Sequence, residues 1–280
     1  MPSMKSIKRR ISSVDTTKKI MQAMDMVSVT KLQKARSRLE MIAPFVDEAK
    51  NMIARLEKCE DIGENIYFKP RPLQKTAYVL ITSDRGLCGS HNVNLTEKLL
   101  SRIGAGGSEM ILAVGLMGRE YFKRRGRNIA FTYPEVSETM FFEDTMRIAD
   151  DLISLYTLGK VGEAYMAYTR FESALTHVPT IVKLLPLHRS TAPANLSEEM
   201  RYEPDAQSFL KYAVPMHLSA YIYAALIESS ACEQAARMIT MDSAVSNADD
   251  IIGKLTRMYN HKRQSAITQE ISEIVGSANM

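Results

Sequence analysis

The sequence predicts an α/β protein built from a long antiparallel coiled coil of its N- and C-terminal helices plus an open α/β (Rossmann-like) domain. Three observations predict it. Residues 1–60 carry apolar or small side chains in alternating steps of three and four, and residues 206–280 do the same. Residues 61–205 instead alternate short apolar, β-branched runs with helix-like segments.

In the first segment the stripe runs through Leu32, Ala35, Leu39, Ile42, Val46, Ala49, Ile53 and Leu56, the spacing of a coiled-coil seam. Ile7, Ile11, Val14, Met21 and Met24 lie roughly on one stripe before it. A helix of some 55 residues would reach roughly 80 Å. Pro44 is expected to kink this helix or end a turn. In the last segment the stripe is Met238, Met241, Val245, Ala248, Ile252, Leu255 and Tyr259. A polar break follows at Asn260–Ser265. Ile267, Ile271 and Ile274 then resume an apolar stripe, and Ile271 and Ile274 are expected in the seam. Pro215 is expected to start or kink the helix. Neither segment can bury its stripe alone. Winding the two around each other solves this, and two separate helices on a globular body are the alternative.

In the middle, Thr76–Ser83, Glu109–Val114, Gly162–Phe171 and Pro179–Leu187 read as strands. Asn94–Ile103, Leu116–Arg125 and Asp144–Leu158 read as helices between them, which suggests a doubly wound sheet. Thr191–Ala206 holds Pro193 and Pro204 among polar residues and reads as a linker.

Composition removes several function classes. Of 280 residues, 45% are apolar and 24% charged, which suits a globular chain. Cys59, Cys88 and Cys232 are far apart and form no CxxC pair, against both a disulfide framework and a zinc site. The basic N-terminus has no apolar h-region behind it, so it does not read as a secretory signal. No run of 18 apolar residues exists, so membrane association is expected only through partners.

The stretch ITSDRGLCGSHN, Ile81–Asn92, joins a strand to a helix and invites comparison with phosphate-binding loops. A P-loop needs GxxxxGK[ST], and no such Lys is present. A dinucleotide fingerprint needs GxGxxG, whereas Gly86 to Gly89 gives only GxxG. The reading is therefore a structural turn of Asp84, Arg85, Gly86 and Gly89, with Asp84 tethering it by side-chain hydrogen bonds. A weak anion site at Arg85 is the alternative. The five His residues show no HExxH or paired-ligand spacing, and there is no GxSxG elbow. Glu143 and Asp144 are explained as helix capping and dipole matching. No catalytic, cofactor-binding or metal-binding residues are expected.

Between residues 5 and 38 lie ten Lys or Arg, against only Asp15 and Asp25. Nucleic acid is one partner this suggests. Yet the first aromatic is Phe45, so the helix has no stacking platform for single strands, and no DNA-binding motif appears. A solvated helix face is the plainer reading. A basic rod set among acidic protein surfaces fits charge, length and seam together.

The ends resemble the γ subunit of the F-type ATP synthase. The N-terminal likeness is carried by IKRRISSVDTTKKIMQAMDMVSVTKLQKAR. The C-terminal one is carried by ESSACEQAARMITMDSAVSNADDIIGKLTRMYNHKRQSAITQEISEIVGSA, and SDRGLCGSHN matches the family's central motif. The resemblance spans essentially the whole chain in the right order. It implies a central rotor shaft without an active site of its own. Such a shaft couples ion-driven rotation of a membrane c-ring to the conformational cycle of catalytic β subunits, making ATP, or hydrolysing it in reverse. Implied partners are the α and β subunits, which bind ATP, ADP and Mg, together with ε and the c-ring. No cofactor of this chain and no nucleic acid are implied. Residue by residue, Met24 and Arg237 match shaft positions near the acidic catch of β. Gln264, Thr268 and Glu270 match upper contacts with the αβ ring, where Ile271 and Ile274 would also meet an apolar bearing. Tyr202 and Glu203 match the foot that meets the c-ring and ε. Two departures stand out. GLCGSHN replaces a Gly-Gly pair common after that Cys, and the long cysteine-bearing insert of chloroplast relatives is missing, against thiol regulation of that type. A start at Met1 without a transit peptide leads us to expect a bacterial source, with the chain peripheral on the cytoplasmic face of the inner membrane.

Overall fold

The structure is a computed structural model that describes residues 3–59, 62, 65–69, 71, 75–104, 106–187, 202–203 and 205–278, without the side chains of 276 and 278. The linker expected over Thr191–Ala206 falls mostly outside the described residues, its two prolines included. The element order is α1 (Met4–Leu56), β1 (Thr76–Ile81), α2 (His91–Ile103), β2 (Glu109–Val114), α3 (Leu116–Lys123) and β3 (Ile129–Tyr133). Then come α4 (Val136–Thr139), α5 (Phe142–Thr157), β4 (Glu163–Phe171), β5 (His177–Leu185) and α6 (Ala206–Ala278). The chain divides into two compact units, Met1–Val29 with Arg237–Met280, and Thr30–Ala236. Both long helices contribute to both units.

In the first unit the two helices bury one stripe each. On α1 the inward positions are Ile7, Ile11, Val14, Lys18, Met21, Asp25 and Ser28. On α6 they are Met238, Met241, Val245, Ala248, Ile252, Leu255 and Tyr259. Both series step by three and four throughout, so each helix keeps a narrow coiled-coil face. Lys18 is a cation at an inward position of α1. Its Nζ lies 2.5 Å from an Asp249 carboxylate oxygen, so the stem lies along the seam and the charge is met at its rim. Lys18 meets Asp249, whereas Val46 and Ala49 cluster with Ala220. Rising numbers on α1 meet falling numbers on α6, and the pairing is antiparallel.

The expectation that Ile271 and Ile274 pack in this seam is not met. They are 56% and 67% exposed, and Ile267 is 47% exposed. The inward stripe continues instead through Lys262 and Ala266. Two causes combine. The isoleucines are one position out of phase with Ala266. Counting outward from Lys18 and Asp249 also brings the start of α1 opposite residues near Arg263, so the last turns of α6 have no α1 residue left to face.

The second unit holds a five-stranded sheet in the order β3-β2-β1-β4-β5. β1 pairs in parallel with β2 and β4, and β2 with β3, while β5 returns antiparallel to β4. On one face Val79, Ile81, Leu112, Val114 and Met166 join Ile148 and Leu152 of α5, Ile53 and Leu56 of α1, and Leu218 and Ile222 of α6. On the other face Tyr78, Leu80, Ile111 and Ala113 meet Leu95 and Leu99 of α2 and Phe122 of α3. A parallel strand covered on both faces needs apolar residues at every position, so TAYVLI and EMILAV read as runs rather than alternations.

β3 has no counterpart among the expected strands. It is five residues long, sits at a sheet edge, and all but Tyr133 are half-buried, so its pattern is weak. α6 begins at Ala206, nine residues before Pro215. The reason is Asp205, whose carboxylate accepts the Ser208 N–H at 2.7 Å and its hydroxyl at 2.8 Å, capping the helix there. Pro44 and Pro215 both lie inside their helices. No helix among the described residues is long and apolar enough to cross a membrane.

Candidate functional site

The turn after β1 lies at the carboxyl edge of the parallel strands, where open α/β sheets bind ligands. Its geometry is set by short-range hydrogen bonds. The Asn92 side chain accepts the Ser83 N–H at 3.0 Å and donates to Ser83 Oγ at 2.6 Å and to Cys88 Sγ at 3.2 Å. Ser83 Oγ donates in turn to the Arg85 carbonyl at 2.6 Å. Leu87 and Gly89 take left-handed φ values of 62° and 56°, which close the turn over the buried Cys88.

Asp84 reaches sideways out of this turn. One carboxylate oxygen accepts the backbone N–H of Leu116 and that of Glu135, each at 3.1 Å. The other accepts the Ser137 hydroxyl at 2.5 Å. Arg85, 77% exposed, pairs with Glu138 at 2.8 Å. Three consecutive residues of the turn, Ser83, Asp84 and Arg85, thus bond within the chain to α2, the start of α3 and the β3–α4 region. Among the described residues no group of three His, Cys, Asp or Glu is placed to hold a metal ion.

Glu143 and Asp144 occupy the first turn of α5, where their charge matches the helix dipole. They do not cap it by hydrogen bonding, because the cap residue is Phe141. Asp144 pairs with Arg147 at 3.3 Å instead.

The residues matched to partner contacts fall into three environments. Gln264, Thr268 and Glu270 are exposed on α6, with the Thr268 hydroxyl bonded to the Gln264 carbonyl at 2.9 Å. Met24 is half-buried, and Arg237 is buried to 8% exposure, so most of its side chain lies inside its unit. Tyr202 lines an apolar cleft of about 280 Å³ with Phe45, Met52, Phe209 and Met216, and Glu203 beside it is exposed. Burial pushes the Tyr202 phenol above its ordinary value, with the Cys59 thiol adding to the rise and Arg55 opposing it. The basic residues of α1 before Arg38 are exposed except Lys18. Periodicity alone passes over Ile20, Met26 and Val27, exposed at 56%, 71% and 55%. Their signal is phase. They are large apolar residues between seam positions, on a face that the partner helix does not cover.

A protein-family model described as ATP synthase matches residues 3–280. The chain belongs to this family. It is 39% identical over 281 residues to the ATP synthase gamma chain of Alkaliphilus metalliredigens, covering 98% of this chain and 97% of that one. It is 36% identical over 295 residues to the gamma chain, described as sodium ion specific, of Acetobacterium woodii, covering 99% and 98%. Its fold is that of a chain in the rotor of Euglena gracilis mitochondrial ATP synthase, with a TM-score of 0.72 at 17% identity over 94% of this chain and 98% of that one. A chain in the F1/c-ring assembly of the same organism gives 0.72 at 16% identity, over 99% and 93%. The paired helices therefore belong to an ATP synthase gamma chain.

Proposed function

We propose that this chain turns within a ring of α and β subunits and couples ion-driven rotation of a membrane c-ring to ATP synthesis, with hydrolysis driving it in reverse. The observation that carries the reading is the antiparallel helix pair of a gamma-family chain, whose uncovered faces present basic and large apolar side chains. Chemistry takes place in the partners. ATP, ADP and Mg bind in α and β, and this chain holds no cofactor and no catalytic group. Its contribution is asymmetry. A shaft that fits the successive conformations of β unequally shifts the balance among them as it turns, and that difference in affinity is the coupling free energy.

The contacts divide by location. Gln264, Thr268 and Glu270 meet the αβ ring, and the exposed Ile267, Ile271 and Ile274 lie on its apolar lining. Met24 and the exposed fraction of Arg237 face the acidic catch of β. Tyr202 and Glu203 belong to the foot that meets the c-ring and ε. Association with the membrane is through these partners, on the cytoplasmic face of a bacterial inner membrane. The structural turn at Asp84, Arg85, Gly86 and Gly89 carries no ligand.

The test is ATPase turnover of α and β subunits from the same source, assembled with and without this chain, with the chain alone as control. The expected result is no turnover from the chain alone and stable, cooperative turnover when it joins α and β. Hydrolysis by the isolated chain, or failure to associate with α and β, overturns the reading.

A further inference from the structure

The start of α3 has no cap of its own. The preceding residue is Gly115, which has no side chain to offer, and the first three helical N–H groups would be left over. All three are taken by consecutive residues just after β1. Gly118 N–H donates to Thr82 Oγ1 at 2.9 Å, Met117 N–H to the Ser83 carbonyl at 3.1 Å, and Leu116 N–H to Asp84 at 3.1 Å. The approach is very close. A Cβ on Gly115 would lie 2.1 Å from the Thr82 carbonyl oxygen. Asp84 adds two donors from another turn, the Glu135 N–H and the Ser137 hydroxyl.

We infer that Thr82-Ser83-Asp84 is a cap borrowed across the sheet, and that Asp84 is the permanent, built-in anion of a cradle that would otherwise accept a small carboxylate. The cradle has the right chemistry for one. Two backbone N–H groups and a hydroxyl converge on a single carboxylate, at the positive end of a helix. Because the anion is covalently part of the chain, the three turns are fastened together and the donors are not available to an exchangeable ligand. The edge of the doubly wound sheet then offers no open anion cradle at this turn. The inference concerns this edge alone and stands whether or not the shaft reading holds.

The experiment is chemical rescue of the full chain. Asp84→Gly removes the whole side chain and leaves space for acetate, whose methyl replaces Cβ. Asp84→Ala leaves space for formate. Each variant is expected to lose on the order of 5 °C in Tm in chloride buffer. Each should recover part of that loss saturably with its matched carboxylate, at constant ionic strength. Wild type, its cradle already occupied, should show no saturable response. An unchanged Tm in the variants overturns the inference, as does a carboxylate response equal in variant and wild type. If a variant is insoluble as made, its refolding yield with the matched carboxylate against chloride is the readout, and a yield independent of carboxylate overturns the inference equally.

Discussion

His217 sits on α6 at the contact with α1, and its protonation should cost stability on the acid side. Its ring lies near the Ala49 carbonyl and stacks on Tyr221 with centroids 6.3 Å apart. Burial pushes its pKa from 6.5 down to about 4, the Ala49 carbonyl opposing the shift and the nearby Lys50 adding to it. The ring is therefore neutral in the folded chain across the range where the unfolded chain takes up a proton. Between pH 6.5 and about 4 the unfolded state binds more protons, so stability falls as pH falls, and this contribution levels off below about 4. The gap between the two values corresponds to about 3 kcal/mol. His217→Gln does not titrate and keeps a polar side chain of similar size. Urea unfolding of both chains between pH 7 and 4 isolates the effect, because the carboxylates are common to both and cancel. Wild type should lose about 3 kcal/mol more than the variant over that interval. Parallel stability profiles would refute the reasoning, since they would mean that the ring protonates as readily in the folded chain as in the unfolded one.

Glycine substitutions should diverge by position. Gly115→Ala combines φ +85° with a Cβ 2.1 Å from backbone, so a loss of about 3 kcal/mol or more is expected in denaturant unfolding. Gly253→Ala, in helix with open space around it, should gain about 0.5–1 kcal/mol in the same assay. Tyr133→Phe removes the phenol that donates to Asp151 at 2.6 Å and should cost about 1–3 kcal/mol, read from the urea midpoint. Lys18→Met should change stability by no more than about 0.5 kcal/mol, or raise it. The Lys18–Asp249 pair is partly exposed, and a seam position favours an apolar stem, so a larger loss would show the ion pair to be stronger than surface pairs are.

The long helices were legible because a narrow apolar stripe at steps of three and four marks one buried face, whatever element covers it. Leu32 through Leu56 and Met238 through Tyr259 lie inward or half-buried as their spacing requires. The covered central strands were legible for the opposite reason, since burial on both faces leaves few polar positions. Legibility failed where neither condition holds. β3 is a half-buried edge, and Lys18 sits in the seam as a cation whose acceptor, Asp249, is remote in sequence. Asp84 reads locally as a turn former, yet its bonds reach Leu116, Glu135 and Ser137. Sequence spacing carries no trace of these contacts, because they depend on the order in which strands lie side by side. Asp205 shows the same limit at a helix start. Proline suggested position 215, and a capping carboxylate placed the start nine residues earlier.

The far end of α6 poses a physical problem that the chain does not solve by itself. Ile267, Ile271, Ile274 and Val275 are between 47% and 67% exposed on a helix with no α1 residue left to face. Exposed apolar side chains on a single helix gain nothing from packing, and a helix without a packed face is marginal in water. These turns therefore contribute little to the folding of the isolated chain, and burying their stripe must wait for another subunit. Deleting the residues after Ala266 should leave the urea midpoint of the isolated chain unchanged within about 0.5 kcal/mol. The same deletion should weaken co-assembly with α and β, read as ATPase turnover that needs a higher concentration of this chain. A lowered midpoint with unaltered assembly would show that the isoleucines stabilise the chain itself and do not wait for a partner.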